Sequence, residues 1–294
     1  MSEFFYIKDI LHKLSNHISY KHYIFILLSC SDIYKIRLSE SECKKIYYTP
    51  NTREELISAI DLWNCNKLSA KFIYGDMFRW NTSLITDMNK LFYEKMNINE
   101  DINHWIVNSV TNMSYIFYNA IKFNSPLNNW NVENVTNMEG MFCRAEEFNQ
   151  PIENWKLKKA YDISYMFSGA KNFNQSLNNW NTKAIKYSEF TFYYANEFNQ
   201  PLDNWDTSNI ESTQYMFCGT QKFNHSLDMW NVENVRNISY MFYDNPVFDK
   251  KLYNWNVKNV NALKYVFTNN SITKNHINRW YNKSNYNIFN NIFY

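Results

Sequence analysis

Tryptophan recurs at Trp80, Trp105, Trp130, Trp155, Trp180, Trp205, Trp230, Trp255 and Trp280, an unbroken spacing of 25 that leaves only Trp63 outside the series. A chain that returns one bulky residue at a fixed phase must be wound into turns of equal length, so that equivalent residues stack in columns along one axis. Other positions keep the same period. Phenylalanine holds two, from Phe92 to Phe267 and from Phe123 to Phe248 in steps of 25, and branched residues hold a third from Ile102 through Leu127 to Ile277. Smaller apolar series pass through Val107, Val132 and Val257 and through Val110, Val135 and Val260. Met141, Met166, Met216 and Met241 share one position, and Ala120, Ala145, Ala170 and Ala195 another. The last series is Asn after Phe, at Asn124, Asn149, Asn174, Asn199 and Asn224, with Asp249 next.

These columns predict an α/β solenoid, a leucine-rich-repeat-like right-handed coil with one short parallel strand and one short helical or 3₁₀ turn per 25-residue repeat. The stretch Leu127-x-x-Trp130-x-Val132-x-x-Val135 has the spacing of a leucine-rich strand. The next, Thr136 to Ala145, opens on a cap-type Thr and sets Met138, Met141, Phe142 and Ala145 at helical spacing. Successive strands are expected to pair at ~4.8 Å, with the Trp column in the core and the Asn column satisfying backbone groups at the turns. Thr52 followed by Glu54 and Glu55, then Leu56, Ile57, Ile60 and Trp63 on one stripe, predicts a capping helix over 53–65. The chain therefore divides into an N-terminal helical segment at 1–49, a capping helix and lead-in coil at 50–79, the repeats at 80–279, and a C-terminal cap or tail at 280–294.

Composition removes several classes of function. Thirty Lys+Arg against 28 Asp+Glu leave a formal charge of +2, without the basic excess of a nucleic-acid binder. Four glycines in the whole chain exclude a glycine-rich phosphate loop. No nucleophile elbow, H-E-x-x-H, kinase set or EF-hand loop occurs. A non-enzymatic protein is expected, with no catalytic, cofactor-binding or metal-ligating residues and with no cofactor. Cys30, Cys43, Cys65, Cys143 and Cys218 are odd in number and widely spaced, which reads as reduced thiols in a reducing compartment. His12, His17 and His22 are five apart, which does not line one helix face. The apolar run Tyr23 to Cys30 is far short of the ~20 residues that span a bilayer, so no transmembrane segment is expected.

The segments Trp130-Asn-Val-Glu-Asn-Val-Thr-Asn-Met-Glu-Gly-Met-Phe142 and Phe148-Asn-Gln-Pro-Ile-Glu-Asn-Trp155 resemble the BspA-like leucine-rich-repeat surface-protein family, in its 25-residue mycoplasma-type repeat. Upstream, Thr52 to Trp63, Tyr74-Gly-Asp76 and Trp80-Asn-Thr-Ser83 are similar to the helix and first coil that precede such repeats, so the resemblance covers about residues 50–280. It implies a repeat scaffold for protein contact, found on bacterial surfaces and in large DNA viruses, with no enzymatic activity and no functional residue to carry over. A chain rich in Asn, Ile, Lys and Tyr, without a clear signal peptide or wall anchor, is expected to be a large-DNA-virus protein, a monomer acting on host proteins inside the cell. Two alternatives stay open. Ile10-Leu11-x-x-Leu14 and Ile26 to Cys30 are loosely similar to an F-box-like ubiquitin-ligase adaptor, and Leu27-Leu28-Ser29-Cys30 resembles the cleavage site of an exported lipoprotein or surface adhesin.

Partner choice would be carried where the repeat varies. If Leu127–Val135 is a strand, the residues between its core positions face outward. The candidate partner-binding face is then Asn131, Lys156, Lys158, Asn181, Lys183, Asp206, Asn231 and Glu233, with Lys156, Lys158 and Lys183 as a basic patch midway along. A solvated polar face would have the same composition.

Overall fold

A computed structural model describes residues 48–280 and 292–293. All lie in the second of the chain's two units, Tyr47–Tyr294. The adaptor-like motif, the lipoprotein-like site, the three histidines and most of the tail lie outside the described residues.

Two helices open this unit. Helix α1, Arg53–Cys65, starts where Thr52 is extended and its hydroxyl accepts from the Glu55 N–H at 3.2 Å. Its Leu56, Ala59, Ile60, Leu62 and Trp63 face inward. Asn66 then serves two ends at once: its N–H bonds back to Leu62, and its side chain caps helix α2, Lys67–Tyr74, through the Ser69 N–H at 3.0 Å. Gly75 at φ +72° stops α2. A 3₁₀ turn at Met77–Arg79 delivers Trp80, whose ring meets Trp63 edge-on at 5.7 Å and 89°. The last described coil ends in 3₁₀ geometry at Lys274–Trp280, and the Ile292 carbonyl takes the Phe267 N–H at 2.9 Å.

Between these ends the 25-residue units stack, but their pairing falls elsewhere than the spacing predicts. Parallel bridges join Asp87, Asn112, Asn137, Asp162, Tyr187, Ser212, Asn237 and Ala262 in sequence. Leu127–Val135 is two reverse turns, closed by Trp130 N–H to Leu127 C=O and by Val135 N–H to Val132 C=O, both 3.0 Å. The stretch expected to be helical carries the coil-to-coil ladder instead. The N–H groups of Met138, Gly140, Phe142 and Arg144 donate to the carbonyls of Asp162, Ser164, Met166 and Ser168 at 2.7–3.0 Å. Those of Met141, Cys143 and Ala145 turn back to residues 138, 140 and 142 at 3.0–3.2 Å. Alternating donors between the next coil and the preceding turn requires left-handed backbone twice per unit. Lys90, Tyr115, Gly140, Tyr165, Phe190, Tyr215, Tyr240 and Tyr265 take it at φ 55–58°, and the residues four positions after each of them take it at φ 51–71°.

The core is built from columns that satisfy themselves. Every indole from Trp105 to Trp280 is buried and donates its Nε1–H to a carbonyl 28 residues earlier, at 2.8–3.1 Å. A phenylalanine could fill most of that space but would remove one of the two hydrogen bonds that carbonyls such as that of Ile152 accept, the other coming from the Trp155 N–H at 3.1 Å. The Asn side chains form a ladder, Asn149 Oδ1 accepting from Asn174 N–H and Asn174 Oδ1 from Asn199 N–H, each 2.9 Å. It starts one unit before the Phe-Asn series, at Asn99. Column spacing is not uniform. Between the same two units it is 6.3 Å at Trp180–Trp205, 6.0 Å at Phe173–Phe198 and 5.7 Å at Phe167–Phe192, but 4.6 Å at Tyr165–Phe190. Equivalent rings of successive units thus lie farther apart at tryptophan than at the ladder.

Candidate partner-binding faces

The residues singled out from the spacing lie on the turns around Val132 and its equivalents, and all are exposed. Most are occupied locally. Asn131, Asn181, Asp206 and Asn231 accept, through Oδ1, from the backbone N–H two residues on, at Glu133, Lys183, Ser208 and Glu233, at 3.0–3.3 Å. That is the Asx turn which closes the second reverse turn of the unit. Lys156 and Lys158 both reach the Glu133 carboxylate, at 3.7 and 2.9 Å. The hydrogen bond from Lys158 is the main reason the Glu133 carboxyl is held below its usual range. Lys183 makes no ion pair among the described residues; its charge adds to the Ser208 hydrogen bonds in lowering the Asp206 carboxyl. Glu233 accepts from Asn256 Nδ2 at 3.1 Å. The expected basic patch is therefore largely compensated by the acids within it.

The ladder face is different, and spacing arguments pass over it. Its left-handed position holds Tyr115, Tyr165, Phe190, Tyr215, Tyr240 and Tyr265. Tyr165, Phe190, Tyr215 and Tyr240 stack at 4.5–4.6 Å, within 12° of parallel. A second column three residues on holds Tyr93, Tyr118, Tyr193 and Tyr243, interrupted by Cys143, Ser168 and Cys218. Where both columns lose rings, a groove of about 800 Å³ opens, lined by Tyr115, Tyr118, Tyr165, Phe190, Tyr193 and Tyr194 with Lys90, Arg144, Cys143, Ser168 and Gly169 among them. Glycine lets side chains of the previous unit lie flat. A β-carbon at Gly140 would fall 2.4 Å from the Tyr115 ring, and one at Gly219 would fall 2.8 Å from the Tyr194 ring.

Burial raises the Tyr115 phenol, aided by its hydrogen bond to Glu139, so that it stays protonated at neutral pH. Burial likewise pushes the Cys143 thiol up to about 11 and the Cys218 thiol up to about 12, and neither supplies a thiolate at neutral pH. Cys65, Cys143 and Cys218 are unbridged. Among the described residues no group of three His, Cys, Asp or Glu is placed to hold a metal ion, and no helix is long and apolar enough to cross a membrane. One signal for this face was present in the sequence: tyrosine recurring two residues before the buried Phe column, where a solvated helix face would carry charge.

A family model described as "Mycoplasma protein of unknown function, DUF285" matches the chain at residues 61–180, 127–228 and 162–280. This repeat family is part of the BspA-like group. No curated protein and no solved structure matches the chain.

Proposed function

Because the chain belongs to the DUF285 family, whose model spans residues 61–280 of it, we propose that it is a non-enzymatic repeat scaffold, a leucine-rich-repeat-like right-handed solenoid that holds a protein partner against its tyrosine-lined ladder face. The observation that carries this is what occupies the left-handed position. A side chain there costs ~1–2 kcal/mol that glycine avoids. Gly140 shows that glycine is accepted, yet six of the eight units place Tyr or Phe there. Axial stacking offsets part of the strain, about 0.5–1.5 kcal/mol per pair. The rings remain half-buried, with their outer edges along an open groove. Strain kept at a position that could relax it points to contact with something outside the chain, and tyrosine is enriched at protein interfaces because its ring is apolar and its tip is wet. The protonated Cys143 thiol in the groove favours binding over catalysis.

The same proposal places the protein inside a cell, as a monomeric large-DNA-virus product acting on host proteins; its richness in Asn, Ile, Lys and Tyr supports that origin. The test is affinity purification with mass spectrometry from eukaryotic cells expressing the full chain and two multiple variants of equal thermal stability. One replaces Tyr165, Tyr215 and Tyr240 by Ser, and the other replaces Lys156, Lys158 and Lys183 by Glu. Partners lost only with the tyrosines support the reading. Partners lost only with the lysines would move the site to the turn face, and partners insensitive to both would refute a scaffold that binds through its repeats. Ubiquitin-ligase subunits retained by both would make residues 1–49 an adaptor, and a mature N-terminus at Cys30 would make the protein an exported adhesin.

A further inference from the structure

We propose that the ladder face has one defined recognition point, a gap in its second tyrosine column at Cys143 and Ser168 that takes aromatic side chains from an extended acidic segment of the partner protein. This rests on the scaffold reading and names the chemistry of the partner.

The column itself shows what fits. Tyr93 and Tyr118 stack at 4.6 Å and 10°. The next two units carry Cys143 and Ser168 at that position, and the ring returns at Tyr193. The series thus lacks two rings between Tyr118 and Tyr193, where the buried Cys143 and Ser168 line the groove. Both bounding rings belong to edge-to-face corners, Tyr115–Tyr118 at 66° and Phe190–Tyr193 at 67°. An incoming aromatic ring can stack on one wall while it meets the edge of another, the arrangement aromatic groups prefer. The columns on either side leave the gap open, because Gly140 in one and Gly169 in the other have no side chains, and Tyr115 and the Arg144 stem lie over them.

Charge selects among ring-bearing partners. The lining contains two cations, Lys90 and Arg144, and no carboxylate. Arg144 is exposed and makes no ion pair among the described residues. Lys90 lies over the rings of Tyr93 and Tyr115, 5.4 and 5.8 Å from their centroids. A carboxylate beside the inserted ring would meet the charges of Lys90 and Arg144 at the rim, whereas a lysine or arginine there would be repelled by them. Single-stranded RNA also combines rings with negative charge, but a chain of net charge +2 lacks the cationic track that follows a phosphate backbone.

The test is fluorescence anisotropy of the full chain with labelled twelve-residue peptides. The probe carries two tyrosines among aspartates and glutamates. Its controls replace the tyrosines by leucine or the acids by lysine, and a twelve-nucleotide single-stranded RNA is run alongside. Ser168→Tyr refills the column with the residue present at Tyr118 and Tyr193, so it should fold while closing the gap. Arg144→Gln removes the charge of an exposed side chain and keeps the Cγ that lies over Gly169. The acidic aromatic peptide should bind about tenfold or more tightly than either control. Ser168→Tyr should abolish the difference, and Arg144→Gln should weaken binding and flatten its salt dependence. Equal binding of the three peptides, tighter binding of RNA, or an unaffected Ser168→Tyr protein would overturn the proposal. If those results came with a cellular partner still lost on replacing Tyr165, Tyr215 and Tyr240, the aromatic-acidic assignment would fall and the scaffold would stand.

Discussion

Asn174→Ala measures what the asparagine ladder contributes. Asn174 Oδ1 accepts two hydrogen bonds, from the Asn199 N–H at 2.9 Å and from Gln200 Nε2 at 3.0 Å. Its own N–H donates to Asn149 Oδ1 and survives any substitution except proline. Alanine therefore strands a half-buried backbone N–H, at about 1–3 kcal/mol, and removes one side-chain bond of about 0.5–1.5 kcal/mol. The expected loss is about 2–3 kcal/mol, which in a unit of this size lowers Tm by roughly 4–10 °C. Asn174→Asp keeps an acceptor oxygen in place and should lose about 1 kcal/mol or less. Asn224 accepts from Asp249 N–H, at 3.1 Å, and from no glutamine, so Asn224→Ala should fall between the two. Thermal melts of the full chain followed by circular dichroism would read all three. An Asn174→Ala protein melting within about 1 °C of wild type, or an Asp variant as damaged as the Ala variant, would show that the column is not a hydrogen-bonded support.

Two further substitutions probe the core and the ladder. Trp180→Phe removes the 3.0 Å bond from Nε1 to the Ile152 carbonyl inside a closed core, so it should cost about 2–4 kcal/mol in urea unfolding, and a loss under about 1 kcal/mol would mean that the indole N–H is dispensable. Burial raises the Asp162 carboxyl in the folded state, against the hydrogen bonds from Ser164. A raised acid destabilises the fold above its folded pKa and ceases to do so below its unfolded pKa. Asp162→Asn, matching Asn137 and Asn237 in the same column, should therefore raise Tm at pH 7, with the gain shrinking as pH falls into the usual aspartate range; a gain independent of pH would contradict the assignment.

Much of the interior was legible because columns need only the period. Trp, Phe, Leu and Asn at a step of 25 identify what stacks on what, whatever the local backbone does. Local conformation was harder to read. Leu127, Trp130, Val132 and Val135 all point inward, and both a strand and two successive tight turns satisfy that pattern. Hydrogen-bond demand decides between them. The Leu127 carbonyl already accepts from Trp130 N–H at 3.0 Å and from the Trp155 indole at 3.1 Å, which leaves it nothing for a ladder. Pairing moves to the next stretch, where Met138, Gly140, Phe142 and Arg144 have N–H groups free to reach the following unit. The partner face read from the spacing rested on that strand: with pairing on 138–144, an open aromatic surface lies there, and Asn131 and its equivalents close turns.

The sequence by itself determined the length of each unit, the residues that fill its core and the columns that satisfy their own polar groups, since all of these follow from one residue recurring at one phase. Only the tertiary structure decided the rest: which segment carries the ladder, how far apart equivalent rings lie at tryptophan and at tyrosine, and where two missing rings open a groove. Those are properties of adjacent coils in contact. A left-handed tyrosine is tolerable only when the coils on either side stack against it, and a gap in a column exists only once the rings bounding it are in place.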